Sequence, residues 1–206
     1  MNSRRRVTLE KAREIVQAVK GLPAPPAIAG VFVNEPASTV KRTAAVCGLD
    51  IVQLSGDESW DYCRELALPF INVIHIRPGA SAGQACREIA AGYNSGRLQP
   101  FTCMLDCQSG GAYGGSGHSF DWDIAADACA RFPLIVAGGL SANNVRRLIR
   151  KARPAGVDVS SGVERDGKKD LELANDFIRA VRLTGGSIQN GIMQTLLCKG
   201  ERYATR

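Results

Sequence analysis

The sequence predicts an α/β fold with parallel strands. Six short apolar runs rich in β-branched and aromatic residues recur along the chain, and a stretch with helical apolar spacing separates each from the next. Gly, Pro, Ser and Asn punctuate the joints. Continuous apolar strands alternating with helices imply a parallel sheet, either covered on both faces or closed into a barrel. A length of 206 residues with 45% hydrophobic content fits one domain with a substantial core.

The elements follow in order. Behind Thr8, Leu9, Ala12, Ile15, Val16 and Val19 recur at helical spacing, and Gly21-Leu22-Pro23 stops the run. A proline-rich link leads to a strand over 28–33, ended by Asn34-Glu35-Pro36. Ser38 is the expected cap of a helix that runs through Ala45 and ends near Cys47-Gly48, before a strand over 51–54. The alternation continues with a helix over 60–67, a strand over 70–76, a weak helix over 82–91 and a strand over 101–105. Next come a helix over 123–130, a strand over 134–137, a helix over 142–151, a strand over 157–160 and a closing helix over 170–182. Residues 1–184 therefore read as the barrel or sheet domain, and 185–206, opening on Gly185-Gly186-Ser187 with mixed polarity, as a C-terminal tail.

Composition narrows the function. No run approaches the roughly 18 apolar residues of a membrane span, and the basic start, Arg4-Arg5-Arg6, has no apolar stretch of a secretory signal behind it. The net charge of +6 suggests an anionic ligand, either a phosphorylated metabolite or a nucleic acid. An aromatic content of only 6%, with basic residues dispersed and no paired stacking aromatics, argues against nucleic acid. The seven cysteines form no CxxC pair, and His75 and His118 stand apart from one another, so no metal site is expected. Scattered thiols without an export signal point to a reducing, cytoplasmic setting.

In parallel α/β folds ligands bind beyond the carboxyl ends of the strands. Gly138-Gly139, with Ser141 and Asn143 as possible caps, and Ser160-Ser161-Gly162 both have the composition of a phosphate cradle, in which glycine N–H groups approach the anion and hydroxyls add donors. Either loop alone also fits an ordinary turn. Two such loops in succession at the end of the series favour phosphate, as in the last loops of a barrel. Asp106 ends its strand where partial desolvation suits a general acid, although a turn or helix cap is the alternative. A glycine-rich loop over 110–117 follows as a possible lid, and it lacks the lysine of a nucleotide P-loop. Asp158, between Val157 and Val159, points either into the mouth or into the core, and the Arg4–Arg6 run offers forked contacts to a carboxylate or phosphate.

These pieces line up in order. Gly30-Val-Phe-Val-Asn34, Gly48 to Leu54 with Gly56-Asp57-Glu58, Leu105-Asp106, Gly114-Gly-Ser-Gly117 with Phe120-Asp-Trp122, Ala137-Gly-Gly-Leu140 with Asn144-Val145, and Val157 to Glu164 with Lys169-Asp170 resemble the phosphoribosylanthranilate isomerases of tryptophan biosynthesis. The resemblance spans about Ser3 to Arg182. It implies a (β/α)8 TIM barrel and a cofactor-free Amadori rearrangement of N-(5-phosphoribosyl)anthranilate to the carboxyphenylamino-deoxyribulose phosphate, with no metal, no membrane and either a monomer or a homodimer. It also implies Asp106 as the general acid, phosphate contacts from Gly138, Gly139, Ser160, Ser161 and Gly162 with Asp158 beside them, and Arg5 against the anthranilate carboxylate.

The departures shape the expectation. Family members open with a strand ending in Lys-Ile-Cys-Gly, whose cysteine is the general base, whereas this sequence starts at Ser3-Arg4-Arg5. Cys103 and Cys107 flank Asp106 on a different strand, and Cys198 only echoes the motif. The expected barrel therefore lacks its first strand, first helix and second strand. The favoured reading is an isomerase begun at an internal methionine, and the alternative is a non-catalytic phosphosugar-binding paralogue. Exposed sheet edges would make such a chain poorly soluble. Ser55 replaces the histidine usual after Gln-Leu.

Overall fold

The computed structural model describes residues 5–96, 98–107 and 122–184. Within these, the six expected strands and seven helices occur in the expected order, joined by one short hairpin the sequence reading did not foresee. The main strands lie in the order β1-β2-β3-β4-β5-β6. The β1–β2, β2–β3, β4–β5 and β5–β6 pairings are parallel. The described residues sort into two compact units, one comprising 5–72 and 95–101, the other 73–94, 102–107 and 122–184.

In the first unit, α1 (Leu9–Lys20) is capped by Thr8, whose hydroxyl accepts the Lys11 N–H at 3.2 Å. β1 (Ala29–Phe32) runs beside β2 (Ile51–Leu54), with Ala29 opposite Ile51 and Phe32 opposite Leu54. The link before β1 is fixed by Asp50, which accepts the Ile28 N–H at 2.8 Å and pairs with Lys20 at 3.5 Å. Helix α2 (Ala37–Cys47) begins one residue earlier than Ser38 and has no side-chain cap, because Pro36 occupies the cap position and its ring presets the entry. Gly48 ends it in the left-handed conformation. Val40, Ala44, Val52, Leu54, Cys63 and Leu66 form the core with α3 (Trp60–Leu66) and the start of β3 (Phe70–Ile76). Phe101 stacks on Phe70 at 5.3 Å between ring centroids, and Trp60 meets the same Phe101 ring at 5.6 Å, edge to face.

The second unit carries α4 (Ala82–Tyr93), β4 (Phe101–Cys107, from Thr102 onward), α5 (Trp122–Cys129), β5 (Leu134–Val136), α6 (Val145–Ala152), β6 (Gly156–Val157) and α7 (Leu171–Thr184). The weak expectation for α4 understates it. Ser81 and Gln84 form a reciprocal capping box, which satisfies two N–H groups at the helix start. Helices α4 to α7 pack each on the next, and the Arg147 guanidinium lies 4.6 Å above the Trp122 ring between α6 and α5. Most ends fall within two residues of the expectation, and two boundaries shift by three. β6 stops at Val157 rather than Ser160, and α6 starts at Val145 rather than Ala142, since 142–144 form a turn whose Asn144 and Val145 N–H groups both reach Ser141 O. Beyond β6 a single 3-10 turn (Ser161–Val163) leads into β7 (Glu164–Arg165) and β8 (Lys168–Lys169), an antiparallel hairpin turning on Asp166 and Gly167. No helix among the described residues is long and apolar enough to cross a membrane.

Candidate active site

Parallel pairing in matched register brings the ends of β4, β5 and β6 to one level. Leu105 lies opposite Val136, and Val136 opposite Val157. The ladder extends one residue further, with the Ala137 N–H donating to Leu105 O at 2.8 Å and the Asp158 N–H to Val136 O at 3.0 Å. Asp106 and Asp158 therefore stand on the same rung, one on each side of Ala137, separated by two strand spacings, roughly 10 Å. Matched rungs of a pleated parallel sheet face the same way, so both aspartates share a face at the carboxyl end. Asp106 is half-buried, the setting expected of a general acid. Burial raises the Asp158 pKa, and the Lys169 ammonium pulls it partly back.

Directly after these rungs come the two cradle loops. Gly138 and Gly139 take φ of +90° and +63°, backbone that side-chain-bearing residues avoid. Asn144, which reading for caps placed at its neighbour Asn143, holds this loop. Its Oδ1 accepts the Ser141 N–H at 2.9 Å, and its Nδ2 donates to Gly139 O at 2.8 Å. Gly162, inside the 3-10 turn, is pressed so closely on Leu140 that a Cβ would overlap the Leu140 carbonyl oxygen. The structure thus brings Gly138, Gly139, Ser160, Ser161 and Gly162 together as one double loop. Among the described residues no group accepts the N–H of Gly139, Ser161 or Gly162. Glycine-rich backbone with uncommitted donors at the start of a helical turn is chemistry that holds an anion.

The hairpin β7–β8 closes this region. The Lys169 ammonium donates to Ser160 O at 2.7 Å and pairs at 3.0 Å with Glu164, whose side chain is only 6% exposed. Asp170, capping α7, accepts the N–H groups of Glu172 and Leu173 and pairs with Arg165 at 3.2 Å. Glu164 and Lys169 belong to the Val157 to Lys169-Asp170 motif, in which the sequence alone assigns them no role. The Asp166-Gly167 dipeptide, both residues at positive φ, is the turn signal that would have revealed the hairpin.

In the other unit, the loops after β1 and β2 are tied by Glu58. Its carboxylate accepts the N–H of Asn34 at 2.6 Å and of Gly56 at 2.7 Å, while Asn34 Oδ1 accepts the Asp57 N–H at 2.8 Å. Ser55 is buried; its N–H donates to Phe32 O at 2.8 Å, and its hydroxyl accepts from Gln53 Nε2 at 3.1 Å. Arg5 is exposed ahead of α1 in this same unit. Arg4, the 110–117 loop, His118, Cys198 and the 185–206 tail lie outside the described residues. Among those described, no group of three His, Cys, Asp or Glu side chains is placed to hold a metal ion.

Comparison with known proteins agrees with this geometry. The sequence profile of the family described as N-(5'-phosphoribosyl)anthranilate (PRA) isomerase matches residues 1–180. The N-(5'-phosphoribosyl)anthranilate isomerase of Dehalococcoides mccartyi is 45% identical over 185 residues, which cover 90% of this chain and 84% of that protein. The crystal structure of phosphoribosyl anthranilate isomerase from Thermotoga maritima superposes with a TM-score of 0.73 at 33% identity, covering 88% of this chain and 83% of that one. A phosphoribosyl anthranilate isomerase in complex with reduced 1-(o-carboxyphenylamino)-1-deoxyribulose 5-phosphate superposes with a TM-score of 0.70 at 32% identity, covering 88% and 82%. The chain has an α/β fold of the (β/α)8-barrel class and belongs to the N-(5'-phosphoribosyl)anthranilate isomerase family.

Proposed function

We propose that this isomerase of tryptophan biosynthesis uses Asp106 as its general acid and the double loop after β5 and β6 as its phosphate seat. Asp106 protonates the ribose ring oxygen of N-(5'-phosphoribosyl)anthranilate. The C1′–O bond breaks, and the anilino nitrogen lone pair forms the Schiff base. A general base, a cysteine in the family the sequence resembles, takes the C2′ proton to give an enolamine, which tautomerises to the ketone of 1-(2-carboxyphenylamino)-1-deoxyribulose 5-phosphate. Proton transfers assist every bond change, so general acid–base chemistry suffices without a metal or an organic cofactor.

Gly138, Gly139, Ser160, Ser161 and Gly162 bind the phosphate through backbone N–H groups and hydroxyls, with Asp158 at their margin, and Arg5 meets the anthranilate carboxylate by a forked contact. The observation that carries this reading is the shared rung of Asp106 and Asp158, with the paired glycine loops immediately beyond it. The chain acts as a monomer or homodimer in the cytoplasm, without a nucleic-acid partner, and residues 1–184 form its catalytic domain with 185–206 as a tail. Five described cysteines are free thiols, in keeping with a reducing compartment.

The test is the loss of substrate fluorescence on adding the chain, repeated with inorganic phosphate as competitor. Turnover inhibited competitively by phosphate supports the reading. Tight binding of a product analogue without turnover would instead support the phosphosugar-binding alternative.

A further inference from the structure

Lys169 stands outside the residues assigned to the reaction, yet its ammonium reaches back to the phosphate seat. It lies on β8, seven residues beyond Gly162, and the Asp166-Gly167 turn folds it over the 3-10 turn. Among the described residues its ammonium donates to Ser160 O at 2.7 Å and pairs with Glu164 at 3.0 Å, and its charge also reaches Asp158. The Glu164 side chain is only 6% exposed, and a buried carboxylate keeps its charge only beside an opposite one, so Glu164 fixes where the ammonium sits. In a trans peptide the carbonyl and the next N–H point in opposite directions. Holding Ser160 O therefore sets the direction of the Ser161 N–H, aiming it away from Lys169 and out of the start of the turn. From the other side, the turn packs backbone against backbone, since a Cβ on Gly162 would overlap the Leu140 carbonyl oxygen.

We propose that Lys169, set in place by Glu164, is a positioning residue that orients the Ser160–Ser161 peptide for phosphate. The ammonium acts through this peptide and makes no phosphate contact of its own. This inference rests on the reading of that loop as the phosphate seat.

The test measures binding of reduced 1-(o-carboxyphenylamino)-1-deoxyribulose 5-phosphate and of its dephosphorylated form by calorimetry, together with KM and kcat. Lys169→Met is expected to lose about tenfold in affinity for the phosphorylated compound and none for the dephosphorylated one, with KM raised and kcat little changed. Lys169→Arg, able to keep both partners, is expected to stay within about threefold of wild type. Glu164→Gln preserves shape and loosens the ammonium. It is expected to lose about threefold for the phosphorylated compound alone, and it decides the question by itself should Lys169→Met not fold.

Wild-type affinity in these neutral variants, while Gly162→Ala weakens binding, overturns the role of Lys169 and leaves the phosphate seat standing. An equal loss for both compounds also overturns it, because the effect would then be general destabilisation. If wild type itself does not distinguish the phosphorylated from the dephosphorylated compound, the seat is misassigned and the inference falls with it.

Discussion

Gly162 and Leu140 meet backbone to backbone, the α-carbon of one lying where any Cβ would strike the carbonyl oxygen of the other. This contact joins the loop after β5 to the turn after β6 without a side chain, and it explains why glycine is needed inside the Ser-Ser-Gly sequence. Gly162→Ala is expected to force the two loops apart at a cost of about 1–3 kcal/mol. Affinity for a phosphorylated product analogue should fall by at least about tenfold. Calorimetry on folded variant protein checks this.

Glu58 serves the loops after β1 and β2 with two carboxylate–amide hydrogen bonds. Glu58→Ala leaves the Asn34 and Gly56 N–H groups without that acceptor and is expected to cost about 1.5–3 kcal/mol. The melting temperature should drop by several degrees. Glu58→Gln, which keeps one side-chain oxygen, should lose about half as much.

Asp158 gives a pH signature. Because burial raises its folded-state pKa above the ordinary value of 3.8, the folded protein holds this proton more tightly than the unfolded chain does. The resulting stability is fully present below the ordinary aspartate value and is lost as pH rises through the folded value. Asp158→Asn removes the buried charge, so it should melt higher than wild type at neutral pH, with the difference shrinking toward pH 4 and below. A lower melting temperature for the variant at neutral pH would contradict this account.

Burial pushes the Cys63 and Cys129 thiols up to about 12. At pH 8 the thiolate fraction at either is on the order of one in ten thousand. Alkylation read out residue by residue is therefore expected to leave both unmodified in the folded protein and to label both in denaturant.

How much of this was legible in the sequence depends on the kind of signal. The strands over 51–54 and 70–76 stand out because buried parallel strands are largely apolar, here broken only by Gln53, Asn72 and His75, and their ends fall where Ser55-Gly56 and Arg77-Pro78 interrupt the run. Val159 continues the apolar alternation and so extends the expected strand to Ser160, whereas the backbone leaves the sheet after Val157 and enters the Ser161–Val163 turn. Helix α2 shows the opposite case, a serine of good capping type set aside because the preceding Pro36 fixes the entry.

At the site, Asp106 and the glycine loops were readable from their place after apolar runs. The hairpin was not, because its strands are two residues each and charged, so no apolar period marks them. The joint use of Lys169 by Glu164 and Ser160 arises only when that hairpin folds back. The same holds for Glu58, whose partners Asn34 and Gly56 lie on two different loops.

Asp106, at the carboxyl end of β4, is the residue proposed to open the ribose ring as its acid. The most direct measurement compares turnover of N-(5'-phosphoribosyl)anthranilate by wild type and Asp106→Asn, with calorimetric binding of the reduced product as the control for an intact site. Asp106→Asn is expected to lose about a hundredfold or more in rate while keeping product affinity within about threefold of wild type. A variant that turns over at the wild-type rate would contradict that role.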